Sequence, residues 1–242
     1  MDIDEGVVVK GIKFDGLKPS GDPVELAKSY NDQGADELCF LDIGATPRSR
    51  KTTISLVGRV SEQVFIPLTV GGGVRNADDM NRLLTAGADK VAVCSAALRN
   101  PQILREGALR FGSQCVVLSI DAKRAGRSWH AWLNGGREDS GVDVMAWARR
   151  GVELGAGEIL LNSIDRDGTK SGYDIELVRT VTDSVSVPVI ASGGAGTLEQ
   201  MFEVVRDGGA EAVLLASLLH EKNLAVREIK SYLGEKGVPI RC

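Results

Sequence analysis

The stretch Pro67-Leu68-Thr69-Val70-Gly71-Gly72-Gly73 is answered 121 residues later by Pro188-Val189-Ile190-Ala191-Ser192-Gly193-Gly194. Gln33-Gly34-Ala35-Asp36-Glu37-Leu38 returns as Leu154-Gly155-Ala156-Gly157-Glu158-Ile159, again 121 residues on. Gly87-Ala88-Asp89-Lys90-Val91 with Ser95 returns as Gly209-Ala210-Glu211-Ala212-Val213 with Ser217, the serines 122 residues apart. Two such halves fill the 242 residues, and each has room for four strand–helix units. Duplication of that kind predicts an α/β fold, a (β/α)8 TIM barrel of two half-barrels; an open doubly wound sheet has no need of it. One domain over 1–242 is expected, its halves about 1–113 and 114–242.

The local patterns agree. Glu37–Leu41, Ile66–Val70, Lys90–Cys94, Cys115–Ile120, Glu158–Leu161, Val187–Ala191 and Ala212–Ala216 are short, continuous apolar runs. That is the mark of parallel strands buried on both faces. Helix-period segments lie between them at Pro23–Gln33, Asn76–Ala86, Pro101–Phe111, Val142–Leu154 and Leu198–Asp207. Pro follows a capping residue at Asp22-Pro23 and Asn100-Pro101, and glycines close the helices at Gly34, Gly87, Gly112, Gly155 and Gly208-Gly209. The first strand is the exception. By the repeat Asp2 answers to Asp121, 119 residues on, so the chain begins about where that strand should end. A truncated start or a misplaced initiator, with two unpaired barrel edges, is the expectation.

Composition is ordinary, 43% apolar and 26% charged, with net charge −4 and no basic run, so nucleic acid is not an expected partner. Cys39, Cys94, Cys115 and Cys242 are far apart, and with His130 and His220 alone no metal site is expected. No apolar run approaches about 18 residues, so no membrane contact is expected and the chain reads as cytoplasmic.

Chemistry belongs at the C-terminal ends of the strands. Gly71-Gly72-Gly73 and Ser192-Gly193-Gly194-Ala195-Gly196 each precede a helix, where small residues and a helix N-terminus suit an anion. Ser95 and Ser217, read as strand ends, close the same cradles. Two related cradles point to a small molecule with a phosphate at each end. Between them, on opposite strands, Asp2 and Asp121 have the residue type for paired acid and base roles. The plainer alternative is a carboxylate paired with Lys123 or Arg124. Ser163-Ile164-Asp165-Arg166-Asp167-Gly168-Thr169-Lys170-Ser171-Gly172 is a further polar strand exit, in which Asp165 and Asp167 serve either a ligand or the loop itself. Trp129, His130 and Trp132, ahead of Asn134-Gly135-Gly136, read as a hairpin cover with an exposed His130. Glu37, Lys90 and Glu158 stand at the opposite strand ends, either as rim ion pairs or as a gate.

These residues carry a resemblance. Asp2-Ile3-Asp4-Glu5-Gly6 with Val8-Val9-Lys10-Gly11, Ser20-Gly21-Asp22-Pro23-Val24-Glu25, Thr69 to Gly73, Ser119-Ile120-Asp121-Ala122-Lys123-Arg124, Ser163 to Asp174 and Ala191 to Gly196 are similar to the cyclase subunits of imidazole glycerol phosphate synthases. The resemblance implies a cofactor-free lyase of histidine biosynthesis. In that reaction ammonia attacks a bis-phosphorylated ribulosyl aminoimidazole carboxamide nucleotide, and the adduct is cleaved and closed. It implies Asp2 and Asp121 as the acid–base pair and Lys10 as a mobile-loop lysine. It places Gly73 and Ser95 at one phosphate, and Asp167, Gly168, Gly194, Ala216 and Ser217 at the other. Glu37, Lys90 and Glu158 become a gate for ammonia from a separate glutaminase subunit docked on the N-terminal face. Cys94 and Asn162 depart from the usual Asn and Thr. Paralogues that aminate surface sugars, and an impaired phosphate-binding barrel, are the alternatives.

Overall fold

The computed structural model describes residues 1–4, 6–12, 15–44, 54–221 and 223–241, without the side chains of 10–17. The strands and helices, in chain order, begin with β1 Asp2–Asp4, β2 Val7–Ile12, β3 Asp15–Gly21 and α1 Pro23–Asp32. Next come β4 Leu38–Asp42, α2 Ile54–Ser61, β5 Leu68–Gly71, α3 Ala77–Thr85, β6 Lys90–Val93, α4 Ser95–Arg99 and α5 Gln102–Phe111. The second half holds β7 Val116–Ala125, β8 Ser128–Leu133, β9 Glu138–Asp143, α6 Val144–Glu153, β10 Glu158–Ser163 and α7 Ile175–Thr182. It ends with β11 Val189–Ser192, α8 Leu198–Arg206, β12 Ala212–Val213, α9 Ser217–His220 and α10 Val226–Glu235.

Parallel pairing runs β1-β4-β5-β6-β7-β10-β11-β12, the eight-strand order of a (β/α)8 barrel. Two antiparallel additions, β2–β3 and β8–β9, extend from β1 and β7. Of the two bare edges expected, the one at β1 is covered and needs correction, while β12 pairs only with β11 among the described residues. Although three residues long, β1 pairs Asp2 with Leu41 and Ile3 with Asp42 on one side. On the other side all three of its residues pair with β2, from Asp2↔Val9 to Asp4↔Val7. No β1–β12 ladder forms among the described residues, so the ring is not closed by hydrogen bonds.

The repeat survives as repeated bonds. Leu68 N–H donates to Asp89 Oδ2 at 2.8 Å, and Val189 N–H to Glu211 Oε2 at 2.9 Å. Ile43 N–H donates to Ile3 O at 3.0 Å, and Ile164 N–H to Ala122 O at 2.9 Å. Asn76 caps α3 by accepting from Asp79 N, and Thr197 caps α8 by accepting from Gln200 N. Each side chain satisfies a backbone donor that helix or strand ends would otherwise leave open.

The strands are apolar throughout because both faces are covered. Phe40, Leu118, Ile120, Ile159 and Leu161 pack outward with the helices in the main core. Ala92, Val117 and Leu160 form a separate inner cluster with Cys39, Leu41, Ile190 and Leu214. With period two, inward residues on β7 run Val117, Ser119, Asp121, from apolar interior to polar mouth. No described helix is long and apolar enough to cross a membrane. Strands β6 and β12 stop at Val93 and Val213, so Ser95 and Ser217 open the short helices α4 and α9 instead of ending strands.

Candidate functional site at the C-terminal mouth

A cavity of about 630 Å³ opens at the C-terminal ends of the barrel strands. Its wall brings together Asp2, Gly73, Ser95, Asp121, Asp167 and Ala216, six of the residues singled out from sequence. Gly168, Gly194 and Ser217 are not on that wall, Lys10 lies outside the described side chains, and Glu37, Lys90 and Glu158 lie at the opposite strand ends.

Asp121 is held by neutral donors. Asn162 Nδ2 donates to its Oδ1 at 3.2 Å, and the Cys94 thiol lies 3.7 Å from its Oδ2. Lys123 and Arg124, the expected plain partners, instead lie over Trp132 and Trp129, each 4.4 Å from the ring centroid. Burial raises the Asp121 pKa to about 6; the Asn162 and Cys94 bonds oppose the rise, and the charges of Asp167 and Asp2 add to it. A carboxylate near neutrality is suited to moving protons at the pH of the cell. Asp2 shares the cavity from β1, the first of the eight strands, while β7 is the fifth.

The first cradle is built by Gly72 and Gly73 at φ 94° and 68°, with Ser95 facing them on the wall. A Cβ at Gly72 would overlap the Asp42 backbone, so glycine is required there. The tip of the β8–β9 hairpin closes over this end: Asn134 N–H donates to Ser95 Oγ at 2.9 Å. Arg99 Nη2 donates to Asn134 Oδ1 at 2.9 Å and Arg137 Nη1 to Asn134 O at 3.0 Å, both arginines lining the cavity. Sequence reading passed over Arg99 and Arg137 and took Asn134 only as the turn beside the hairpin cover. The usable signal was Arg99 four residues after Ser95, one turn along the same helix.

The second cradle is the Ser163–Gly172 turn stacked on the glycines after β11. Asp167 N–H donates to Ser163 O at 2.9 Å and Gly172 N–H to Gly194 O at 2.8 Å. Gly193, Gly194 and Gly168 adopt φ 92°, 102° and 70°. Asp165 serves structure, its Oδ2 accepting from Arg124 N–H at 2.8 Å, whereas Asp167 is 7% exposed and faces the cavity. His130 lies outside the cavity wall and pairs with Asp139 at 3.0 Å.

At the N-terminal end Lys90 reaches two other strands at once. Its Nζ, from the start of the fourth strand of the ring, stands 2.8 Å from Glu37 Oε1, just before the second, and 2.5 Å from Glu158 Oε1, which opens the sixth. Burial alone would lower the Lys90 pKa; hydrogen bonds to Glu158 and Glu37 outweigh it and raise the value. Glu158 Oε2 is buried without a hydrogen-bond partner among the described residues.

Eight parallel strands with helices between them and a carboxylate-bearing cavity at the strands' C-terminal ends define a barrel protein of the enzyme-bearing (β/α)8 class. Within that class the chain belongs to the histidine biosynthesis protein family, whose model matches residues 1–225. It is thus a histidine-biosynthesis-type barrel enzyme.

Proposed function

We propose that this enzyme is the ammonia-dependent cyclase: it converts a bis-phosphorylated ribulosyl aminoimidazole carboxamide nucleotide to imidazole glycerol phosphate and the aminoimidazole carboxamide ribotide. The observation that carries the reading is Asp121, a carboxylate with a pKa of about 6 that shares one cavity with Asp2 from the opposite side of the barrel. Condensation of ammonia with a ketone, cleavage of the adduct and ring closure each need protons moved at nitrogen and oxygen. In this reading Asp121 takes and returns those protons, and Asp2 serves the other face of the substrate. Gly73 and Ser95 hold one phosphate. Asp167, Gly168, Gly194, Ala216 and Ser217 are assigned to the other phosphate, and Lys10 is assigned a positive charge toward the substrate.

Ammonia enters, on this account, at the N-terminal face, from a glutaminase subunit docked there. The Glu37–Lys90–Glu158 cluster supports that path because it concentrates donors and acceptors at the barrel floor. The test is turnover of the purified chain with the ribulosyl nucleotide and ammonium salts, and with glutamine plus a glutaminase. Ammonia-dependent formation of both products is expected. Isomerisation of the ring-closed ribosyl precursor to the ribulosyl form, with no use of ammonia, would assign the chain to the sister isomerase instead.

A further inference from the structure

Asp121, Asn162 and Ser192 occupy one level of the sheet. Asn162 on β10 is in register with Asp121 on β7 on one side and with Ser192 on β11 on the other. Ser192 Oγ donates to Asn162 Oδ1 at 3.1 Å, which turns the amide so that its Nδ2 donates to Asp121 Oδ1 at 3.2 Å. Cys94, just beyond β6 on the other flank of β7, places its sulfur 3.7 Å from the second oxygen, Asp121 Oδ2. Each carboxylate oxygen thus has its own neutral donor, one from β10 and one from the residue just beyond β6.

We propose that Cys94, Asn162 and Ser192 are positioning residues for the proposed reaction, a hydrogen-bonded row that fixes the Asp121 carboxylate in one orientation and holds it as an anion. The surroundings show why such a row is needed. Asp2 and Asp4 on β1, Asp42 on β4 and Asp167 beyond β10 face the same cavity, and burial, with the charges of Asp167 and Asp2, favours a protonated Asp121. The two cations on its own strand, Lys123 and Arg124, are turned to the hairpin tryptophans. Arg75, Arg99 and Arg137 line the same cavity, yet what lowers the Asp121 pKa against burial is the pair of hydrogen bonds from Asn162 and Cys94 to the anion. Cys94 can only donate here, because burial, with the Asp121 charge second, pushes its thiol pKa far up and keeps the S–H protonated. Asn162 is 9% exposed, so its amide gains its hydrogen bonds from the protein.

The proposal rests on Asp121 being the acid–base group, and its test separates the two ideas. The titration of Asp121 is followed by NMR of carboxyl-13C aspartate, assigned with Asp121→Asn, a readout that needs no turnover. Asn162→Leu and Ser192→Ala should raise the Asp121 midpoint, the former by about one pH unit. Cys94→Ala should raise it less, and Cys94→Ser should restore it. The infrared S–H stretch lost in Cys94→Ala should move as Asp121 titrates. If Asn162→Leu does not fold, the two Cys94 variants and Ser192→Ala carry the same test. Midpoints within error of wild type in the folded variants, or an S–H band indifferent to pH, would overturn the row. Shifted midpoints with an unshifted limb in the pH dependence of ammonia-driven kcat would uphold the row and overturn the acid–base role of Asp121.

Discussion

Gly72 and Gly193 hold the same backbone conformation 121 residues apart, with φ 94° and 92°. Each turns the chain just beyond a barrel strand, and each lies against the end of the neighbouring strand: Gly72 on the Asp42 backbone, Gly193 on the Ser163 backbone. A side chain at either position meets two penalties together, a left-handed φ and a backbone overlap. Gly193→Ala is therefore expected to cost about 1–3 kcal/mol of stability and to push the glycines after β11 away from the Ser163–Gly172 turn, opening the second cradle. Urea unfolding measures the first effect, and a raised KM at little-changed kcat the second.

At the barrel floor, Lys90→Met leaves Glu37 and Glu158 facing each other without their shared cation. The side chains of Lys90, Glu37 and Glu158 are 14%, 40% and 19% exposed, so the loss should fall below that of a fully buried pair, about 2 kcal/mol. Adding Glu158→Gln should recover part of it, and a double-mutant cycle by urea unfolding reports the coupling.

Asp121 also sets a pH dependence of stability. Its folded pKa of about 6 lies above the ordinary 3.8, so the folded chain binds this proton more tightly than the unfolded chain. Its contribution is fully present below the unfolded pKa and is lost as pH rises through about 6. Asp121→Asn should consequently be more stable than wild type by roughly 1–3 kcal/mol at about pH 8, with the gap closing toward pH 4. Melting curves across that range check the sign.

Much of this arrangement is legible in the amino-acid sequence. Continuous apolar runs identified the parallel strands because both sheet faces are buried, and the repeat placed Asp121 on the fifth. The register row Asp121–Asn162–Ser192 was not legible, since it joins residues 41 and 30 apart along the chain through strand pairing alone. Helices α4 and α9 span five and four residues, too short for a helical period to show, and so Ser95 and Ser217 read as strand ends. The arginines of the first cradle were hidden for another reason. Arg137 reaches the cavity through the glycine turn at Asn134-Gly135-Gly136, with Asn134 itself at φ 56°. The short β1 read as a missing strand because the repeat sets Asp2 against Asp121, well inside β7.

The central claim is that Asp121 moves the protons of an ammonia-dependent cyclisation. It is tested most directly by Asp121→Asn, assayed with saturating ammonium while binding of the ribulosyl nucleotide is followed separately. The account predicts a fall in kcat of about 10²–10⁴-fold with substrate affinity retained. Turnover within a few-fold of wild type would contradict it.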